Sequence, residues 1–438
     1  MLTFPIYLLL FLVFVNRYVG GYWMKKLRGK NFDTKVEGYE PIVTVVIPLY
    51  NEGEQIYHTI HSLLMQDYPE DKLTIMVVDD CSTDDSYTWA RKAMKESPRV
   101  QVIQNPYNMG KRRGINNAVR HATSEIIVSV DSDVIVERDA VRHLVARFTR
   151  PSVAAVGGRV NVLNANENWL TRMQAIKYWF GYEYLKNLER AFSSVMCLSG
   201  CLTAYRRHVL IELEPILEHR HMFGVPIKYG EDRFLTRQIV KAGYETRMTL
   251  DAVSWTVAPN TLSKYFSQQL RWRRSNFVDL LGGMTHAYKL HPIVGIHYMS
   301  LFAMMLAYPV LIVTSIERES FLGLAGLHIG TLAALGTLYG WKTRKRPAAE
   351  RVHPLWFIGM AVVMPVTYIV ATPLAFFTLD SGSWETRVKP QAAPEPEAVP
   401  ADAEATPEIA FMPAVPRPSL RPIQSFSFPP PPHGVNRG

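Results

Sequence analysis

The chain has 438 residues, with 48 Lys+Arg against 39 Asp+Glu, a formal charge of +9. Hydrophobic residues make up 48% and charged ones 20%, which allows a large core and excludes wholesale disorder, while three cysteines exclude a disulfide scaffold. The length suggests about two to three domain-sized units, and the cations flank apolar segments, which points to a membrane surface and away from nucleic acid.

Residues 2–15 are almost wholly apolar, and Tyr18, Tyr22 and Trp23 precede Lys25, Lys26, Arg28 and Lys30. Apolar residues, then aromatics, then cations predict a transmembrane anchor over 1–24. A basic start and a small-x-small cleavage site are both missing, so the anchor reads as retained and not as a signal peptide. Residues 25–261 read as a cytosolic domain. The β-branched runs 43–50, 74–80 and 125–133 alternate with helix-like segments such as 52–66 and 84–96. That alternation predicts a parallel α/β sheet with helices on both faces. Ligands bind such sheets beyond the carboxyl ends of the strands, where Asp79-Asp80 and Asp131-Ser132-Asp133 stand.

Residues 262–290 interleave Tyr265, Phe266, Leu270, Trp272 and Phe277 with Lys264, Arg271, Arg273 and Arg274, as a helix in the membrane interface does. Within 291–341, the segments 292–316 and 321–341 are apolar enough to span. Lys342, Arg344, Lys345, Arg346 and Arg351 then mark a cytoplasmic loop. The apolar stretch 354–379 is interrupted by Pro365 and Pro373, and the tail 389–438 holds 13 of the 29 prolines, a composition that predicts disorder.

Asp131 and Asp133 flank one residue after a buried strand, and such a carboxylate pair suits Mg²⁺ or Mn²⁺ shared with phosphate oxygens. A lone DxD reads better as a turn or helix cap. Asp80 at a strand end suits a uracil N–H or ribose hydroxyl, and Tyr50 suits stacking on a base. Lys111, Arg112 and Arg113 beside Gly110 suit a diphosphate or, equally, a solvated loop. Asp232 in Gly230-Glu231-Asp232-Arg233 opens a helix-like run, as a dipole-favoured acid or a general base. Gln268, Arg271 and Trp272 offer an amide, a guanidinium and an indole on the interfacial helix.

Taken in order, VVIPLYNE (45–52), VVDDCSTD (77–84), NMGKRRG (108–114), DSD (131–133), SGCLTAYRR (199–207), YGEDRFLT (229–236) and QQLRWRRS (268–275) resemble the processive family 2 glycosyltransferases. That group includes hyaluronan synthases, nodulation chitooligosaccharide synthases, chitin synthases and, more distantly, cellulose synthases. The resemblance is strong over about 40–290, looser to about 387, and does not cover the tail.

It implies a GT-A type catalytic domain set between transmembrane and interfacial helices. It also implies roles at the matching positions. Asp80 holds the uridine, with Tyr50 and Glu52 lining the base pocket. Lys111 contacts the nucleotide, Asp131 and Asp133 bind UDP with Mg²⁺ or Mn²⁺, and Asp232 is the catalytic base with Glu231 beside it. Ser199, Gly200 and Arg206 lie near the acceptor sugar, and Gln268, Arg271 and Trp272 complete the diphosphate and acceptor sites. Cys81 and Cys201 depart from the family's glycine and proline, respectively, and read as tolerated changes, Cys81 as structural filler ahead of the alternative, a reactive thiol near the nucleotide.

Trp384, Thr386 and Arg387 resemble a family element that faces the cytosolic active site. A full crossing by 354–379 would put them outside, so that segment reads as interfacial or re-entrant, bent at its prolines. The implied activity is a plasma-membrane, multi-pass, inverting β-glycosyltransferase with a cytoplasmic catalytic domain. Its partners are UDP-sugar donors, the growing polysaccharide, the bilayer and a second copy of the chain.

Phe223-Gly224-Val225-Pro226 looks like the hyaluronan branch, which predicts UDP-GlcNAc with UDP-GlcA. Met196-Cys197 and the 268–275 segment look like the chitooligosaccharide branch, the alternative that uses UDP-GlcNAc alone. Two other readings compete: a non-processive transferase acting on a lipid acceptor, and a non-catalytic scaffold.

Overall fold

The computed structural model describes residues 33–379 apart from 223, 228, 286 and 319, and before them residues 12, 15–20, 23, 26 and 27. Most of the expected anchor over 1–24 lies outside the described residues, as do Trp384, Thr386, Arg387 and the tail.

Strands β1 (Val43–Leu49), β2 (Leu73–Asp79), β3 (Val100–Gln104) and β4 (Ile126–Ser129) are parallel neighbours in the order β3-β2-β1-β4. Their continuous apolar sequences follow from cover on both faces. Val43, Val45 and Ile47 pack with Ile56, Ile60 and Leu63 of α1 (Gln55–Leu64) and Ala90 and Ala93 of α2 (Ser86–Glu96). Val46 and Val78 pack on the other face against Ala118 and Val119 of α3 (Lys111–His121). The chain builds outward from β1 to β3, then returns to place β4 on the other side of β1. The gap between β1 and β4 is therefore a topological switch point, where the crevice of an open α/β sheet lies.

The sheet is mixed, not wholly parallel as expected. After β5 (Val134–Val136), α4 (Ala140–Val145), β6 (Val153–Val162), α5 (Trp169–Trp179) and α6 (Asn187–Ala191), strand β7 (Thr203–Arg206) inserts antiparallel between β4 and β6. Helix α7 (Arg207–Glu218), the hairpin β8 (His221–Met222) and β9 (Val225–Pro226), and helix α8 (Glu231–Lys241) lead to β10 (Glu245–Thr256), which pairs parallel with β6 and antiparallel with β5. A four-residue and a three-residue strand offer too few positions for their direction to show in the sequence.

Helix α9 (Leu262–Met284) buries Tyr265, Gln269, Phe277 and Asp279. Beyond it α10 (Pro292–Glu317), α11 (Phe321–Thr343) and α12 (Pro354–Phe377) are long and apolar enough to cross a membrane. Helix α12 carries a π-helical turn, Thr367–Ala371, between Pro365 and Pro373, where the missing N–H groups loosen the helical ladder. It buries Phe357, Met360, Val363, Thr367, Ala371 and Ala375. It exposes Ile358, Val362, Val366, Val370 and Leu374, four residues apart on one face. Both ends of this segment meet the α/β domain or the helix α9 that follows it. Just before it Arg346 binds the Glu183 carboxylate at 2.8 and 2.5 Å. Just after it Thr378 accepts from Arg274 at 3.0 Å, and the Leu379 carbonyl accepts from the Tyr229 hydroxyl at 2.8 Å.

Candidate active site

The turns that follow β1 and β2 are stitched together. Asn51 Oδ1 accepts from the Thr83 amide at 2.9 Å, and Ser86 Oγ accepts from the Glu52 and Gly53 amides at 2.7 and 2.8 Å. Asn51 and Cys81 adopt φ of +51° and +60°. An asparagine tolerates that region, whereas a Cys in place of glycine costs on the order of 1 kcal/mol. Glu52 Oε1 accepts from Ser132 Oγ at 3.1 Å, so the β1 turn also reaches Asp131-Ser132-Asp133. Tyr50 is half-buried at the same strand end.

Asp80 is buried at the end of β2. Its Oδ1 accepts from Asn105 Nδ2 at 2.9 Å and the Met109 amide at 2.8 Å, and its Oδ2 accepts from the Gly110 amide at 2.8 Å. The carboxylate thus fixes the loop that presents Lys111. A carboxylate offers about four acceptor sites, which leaves room for one further donor such as a base N–H.

Lys111 bridges two motifs far apart in sequence: its Nζ lies 2.7 Å from Asp131 Oδ1 and 2.9 Å from Glu231 Oε1. Burial alone would lower the Lys111 ammonium, but Asp131 and Glu231 outweigh it and hold it well above the usual lysine range. Glu231 shows the reciprocal balance: burial would raise it, yet Lys111 pulls it down to about 2. Asp232 is held above the usual carboxylate range, first by burial and then by the Glu231 charge. Gly200 closes over this bridge, and a Cβ there would stand 3.1 Å from Lys111 Nζ and 3.2 Å from Asp131 Oδ1. Ser199 Oγ accepts from the Cys201 amide at 3.2 Å and shapes the same turn. Burial, then Asp131 and Asp133, push the Cys201 thiol well up, so it is no thiolate at neutral pH.

Helix α9 brings the third group. The Arg271 charge acts on Glu231 and on Tyr178 of α5. The Trp272 ring lies 6.4 Å from that of Tyr178, and Gln268 lies half-buried on the same helix. Sequence reasoning missed the α5 side of this cleft. Lys177 Nζ donates to Gln269 Oε1 at 2.5 Å and stands 5.5 Å from the Trp272 ring. Burial, then Arg273, bring Lys177 down to about 7. The available signal was a single lysine among Ile176, Tyr178 and Trp179.

Arg206 is not brought to this site. Strand β7 runs antiparallel to β4, with Thr203 opposite Ser129 and Arg206 opposite Ile126, so Arg206 stands at the far end of the sheet. There it binds Glu125 Oε1 at 2.9 Å and the Val153 carbonyl at 2.9 Å, a structural role in place of the expected acceptor contact.

Among the described residues no cluster of three or more His, Cys, Asp or Glu forms a metal cage. Asp131 and Asp133 are a two-carboxylate set. This fits Mg²⁺ or Mn²⁺, which take one or two carboxylates and complete their shell with water and substrate phosphate.

Residues 41–275 match the family described as Glycosyltransferase like family 2. An N-acetylglucosaminyltransferase of Bradyrhizobium diazoefficiens is 33% identical, over 79% of this chain and 72% of its own length. Those of Sinorhizobium fredii and Rhizobium leguminosarum bv. viciae are 32% and 31% identical, covering 82% and 85% of this chain and 86% and 88% of their own. Among solved structures, the mannosyltransferase PcManGT from Pyrobaculum calidifontis, in complex with GDP-Man and Mn²⁺, aligns with a TM-score of 0.57. It is 21% identical and covers 85% of this chain and 99% of its own, a likeness of fold. With the motifs gathered at the switch point and relatives matching over most of its length, this chain belongs to family 2 of the glycosyltransferases.

Proposed function

We propose that this enzyme is a membrane-embedded, inverting, processive β-N-acetylglucosaminyltransferase that extends a chitooligosaccharide from UDP-GlcNAc. The relatives above are each named N-acetylglucosaminyltransferase, and this reverses the order of the two product readings: the GlcNAc-only synthase takes precedence over the hyaluronan synthase. One observation carries the chemistry. Beside the Asp131–Lys111–Glu231 bridge, two carboxylates sharing one ammonium, stands Asp232, a carboxylate whose affinity for a proton is raised.

A general base works best when its pKa approaches the working pH. Asp232 takes the proton of the acceptor hydroxyl as that oxygen attacks the anomeric carbon, and the bond to UDP breaks in the same displacement. One in-line displacement converts an α-linked donor to a β-linked product. Glu231 stays ionised and holds Lys111 in place, so only Asp232 of the pair exchanges a proton. Lys111 and Arg271 present positive charge toward the departing diphosphate. A Mg²⁺ or Mn²⁺ held by Asp133 and Asp131 supplies further neutralisation of that charge when bound. Trp272 and Tyr178 offer aromatic faces on which an acceptor sugar stacks.

Helices α10 and α11 cross the membrane in this reading, and α12 lies in the interface. The contacts of its ends with the α/β domain and α9 and its single exposed apolar face support that placement. Reporter fusions after residue 388 are expected to read cytoplasmic, and an extracellular signal contradicts the placement. The activity itself is tested in isolated membranes: UDP-GlcNAc alone yields β-linked oligomers and UDP, and adding UDP-GlcA leaves the product unchanged. Incorporation of GlcA, or no product from UDP-GlcNAc alone, contradicts the proposal.

A further inference from the structure

The turn that carries Asp232 begins at Tyr229 and Gly230. Arg220, just beyond α7, is 5% exposed and spends its side-chain hydrogen bonds on this turn. Its Nη1 donates to the Tyr229 carbonyl at 2.6 Å and to the Gly230 carbonyl at 3.1 Å. Its guanidinium lies 4.5 Å from the ring centroid of Phe234, two residues past Asp232. Its Nε and Nη2 have no hydrogen-bond partner among the described residues. A buried guanidinium that leaves two nitrogens unbonded is costly to keep, and the contacts it does make converge on the base-bearing turn.

The turn is also shaped to its neighbours. Gly230 sits at φ +67°, and a Cβ there would collide with the Ser275 side chain on α9. The body of α8 is held separately, through Arg237 Nε donating to Asp279 Oδ1 of α9 at 2.8 Å. The helix therefore has its own anchor, and Arg220 controls the turn at its start.

We propose that Arg220 is a positioning residue for the glycosyl-transfer step: by clamping the Tyr229 and Gly230 carbonyls it fixes the direction in which Asp232 meets the acceptor hydroxyl. This inference rests on the reading of Asp232 as the base. Asp131 and Asp133 stand on other elements, and among the described residues the turn meets the donor side only through the Glu231–Lys111 ion pair.

The test uses the full-length enzyme in membranes and compares Arg220→Gln, Arg220→Lys and Asp232→Asn. Arg220→Gln is expected to lower kcat about 10²-fold, the cost of a misplacement near 1 Å, with a far smaller change in donor KM and UDP affinity, which reach the turn through the Glu231–Lys111 pair. Arg220→Lys is expected to recover about tenfold of that loss, because an ammonium still reaches the two carbonyls. An unchanged kcat in Arg220→Gln overturns the proposal, as does a parallel loss of kcat and UDP binding. Should the Gln variant fail to accumulate, Arg220→Lys carries the test, with wild-type kcat as the overturning result. If Arg220→Gln is silent while Asp232→Asn is inactive, the clamp fails and the base stands. If Asp232→Asn keeps its activity, the base reading itself fails.

Discussion

On the proposed nucleotide side of the cleft, the candidate groups sit within a few residues of a strand end: Tyr50 and Glu52 after β1, Asp80 after β2, Asp131 and Asp133 after β4. On the proposed acceptor side they stand on helices, Gln268, Arg271 and Trp272 on α9, with Trp272 beside Lys177 and Tyr178 of α5. Strand-end groups are fixed by backbone pairing and by turns stitched side chain to amide. Helix-borne groups are fixed by packing between distant segments. The first half is tied into the sheet, and the second packs against the membrane-proximal helices, where Ile176 and Tyr265 share a cluster with Leu332 and Phe357.

Substitutions can break this contrast in graded ways. The largest effect is expected where the halves meet. Asp232→Asn removes the proposed base and should lower kcat by about 10³-fold, within the usual range for general-base loss, while UDP affinity persists. The same group sets the acid limb of the pH profile. Asp232 must be ionised to act, and its pKa lies above the usual carboxylate range of about 4. Activity should therefore fall as pH drops through that raised value, and kcat/KM against pH measures it. Glu231 has the opposite sign: its folded pKa is about 2, so its contribution to stability is present above the ordinary glutamate value of 4.5 and is lost as pH falls toward 2.

Lys111→Met comes next. It strands two partly buried carboxylates, 27% and 23% exposed, so the loss falls below the roughly 3–5 kcal/mol that breaking a fully buried pair from one side costs. Thermal unfolding should show a marked loss of stability, and UDP binding should weaken with it. A smaller effect is expected at Gly200→Ala, whose methyl would stand 3.1 Å from Lys111 Nζ. Overpacking of this kind costs about 1–3 kcal/mol and should appear as a raised donor KM. Least of all should change in activity with Arg206→Ala. It lies at the far end of β7, so kcat and donor KM of the folded fraction should match wild type, with the loss confined to stability.

The nucleotide half was legible in the sequence for a physical reason. A buried parallel strand announces itself as an apolar run, and the acidic residue that ends it falls in the crevice by the geometry of the sheet. The acceptor half was legible only in part. Trp272 and Arg271 stood out by type, but their meeting with α5 depends on helix packing, which periodicity does not report. Tyr178 and Lys177 were therefore missed. Arg206 shows the converse error. It is close in sequence to Gly200, but β7 intervenes and carries the chain about 10 Å away at strand rise, in a direction that four residues do not reveal. The mixed sheet and the Arg206 correction have the same cause.

The account depends on these groups gathering around one sugar nucleotide. Calorimetric titration of UDP-GlcNAc into the purified full-length enzyme, with Mg²⁺ or Mn²⁺ and then with a chelator, tests this most directly. The account predicts saturable binding that the divalent ion supports and the chelator abolishes. Absence of any divalent-dependent affinity for UDP-GlcNAc contradicts it.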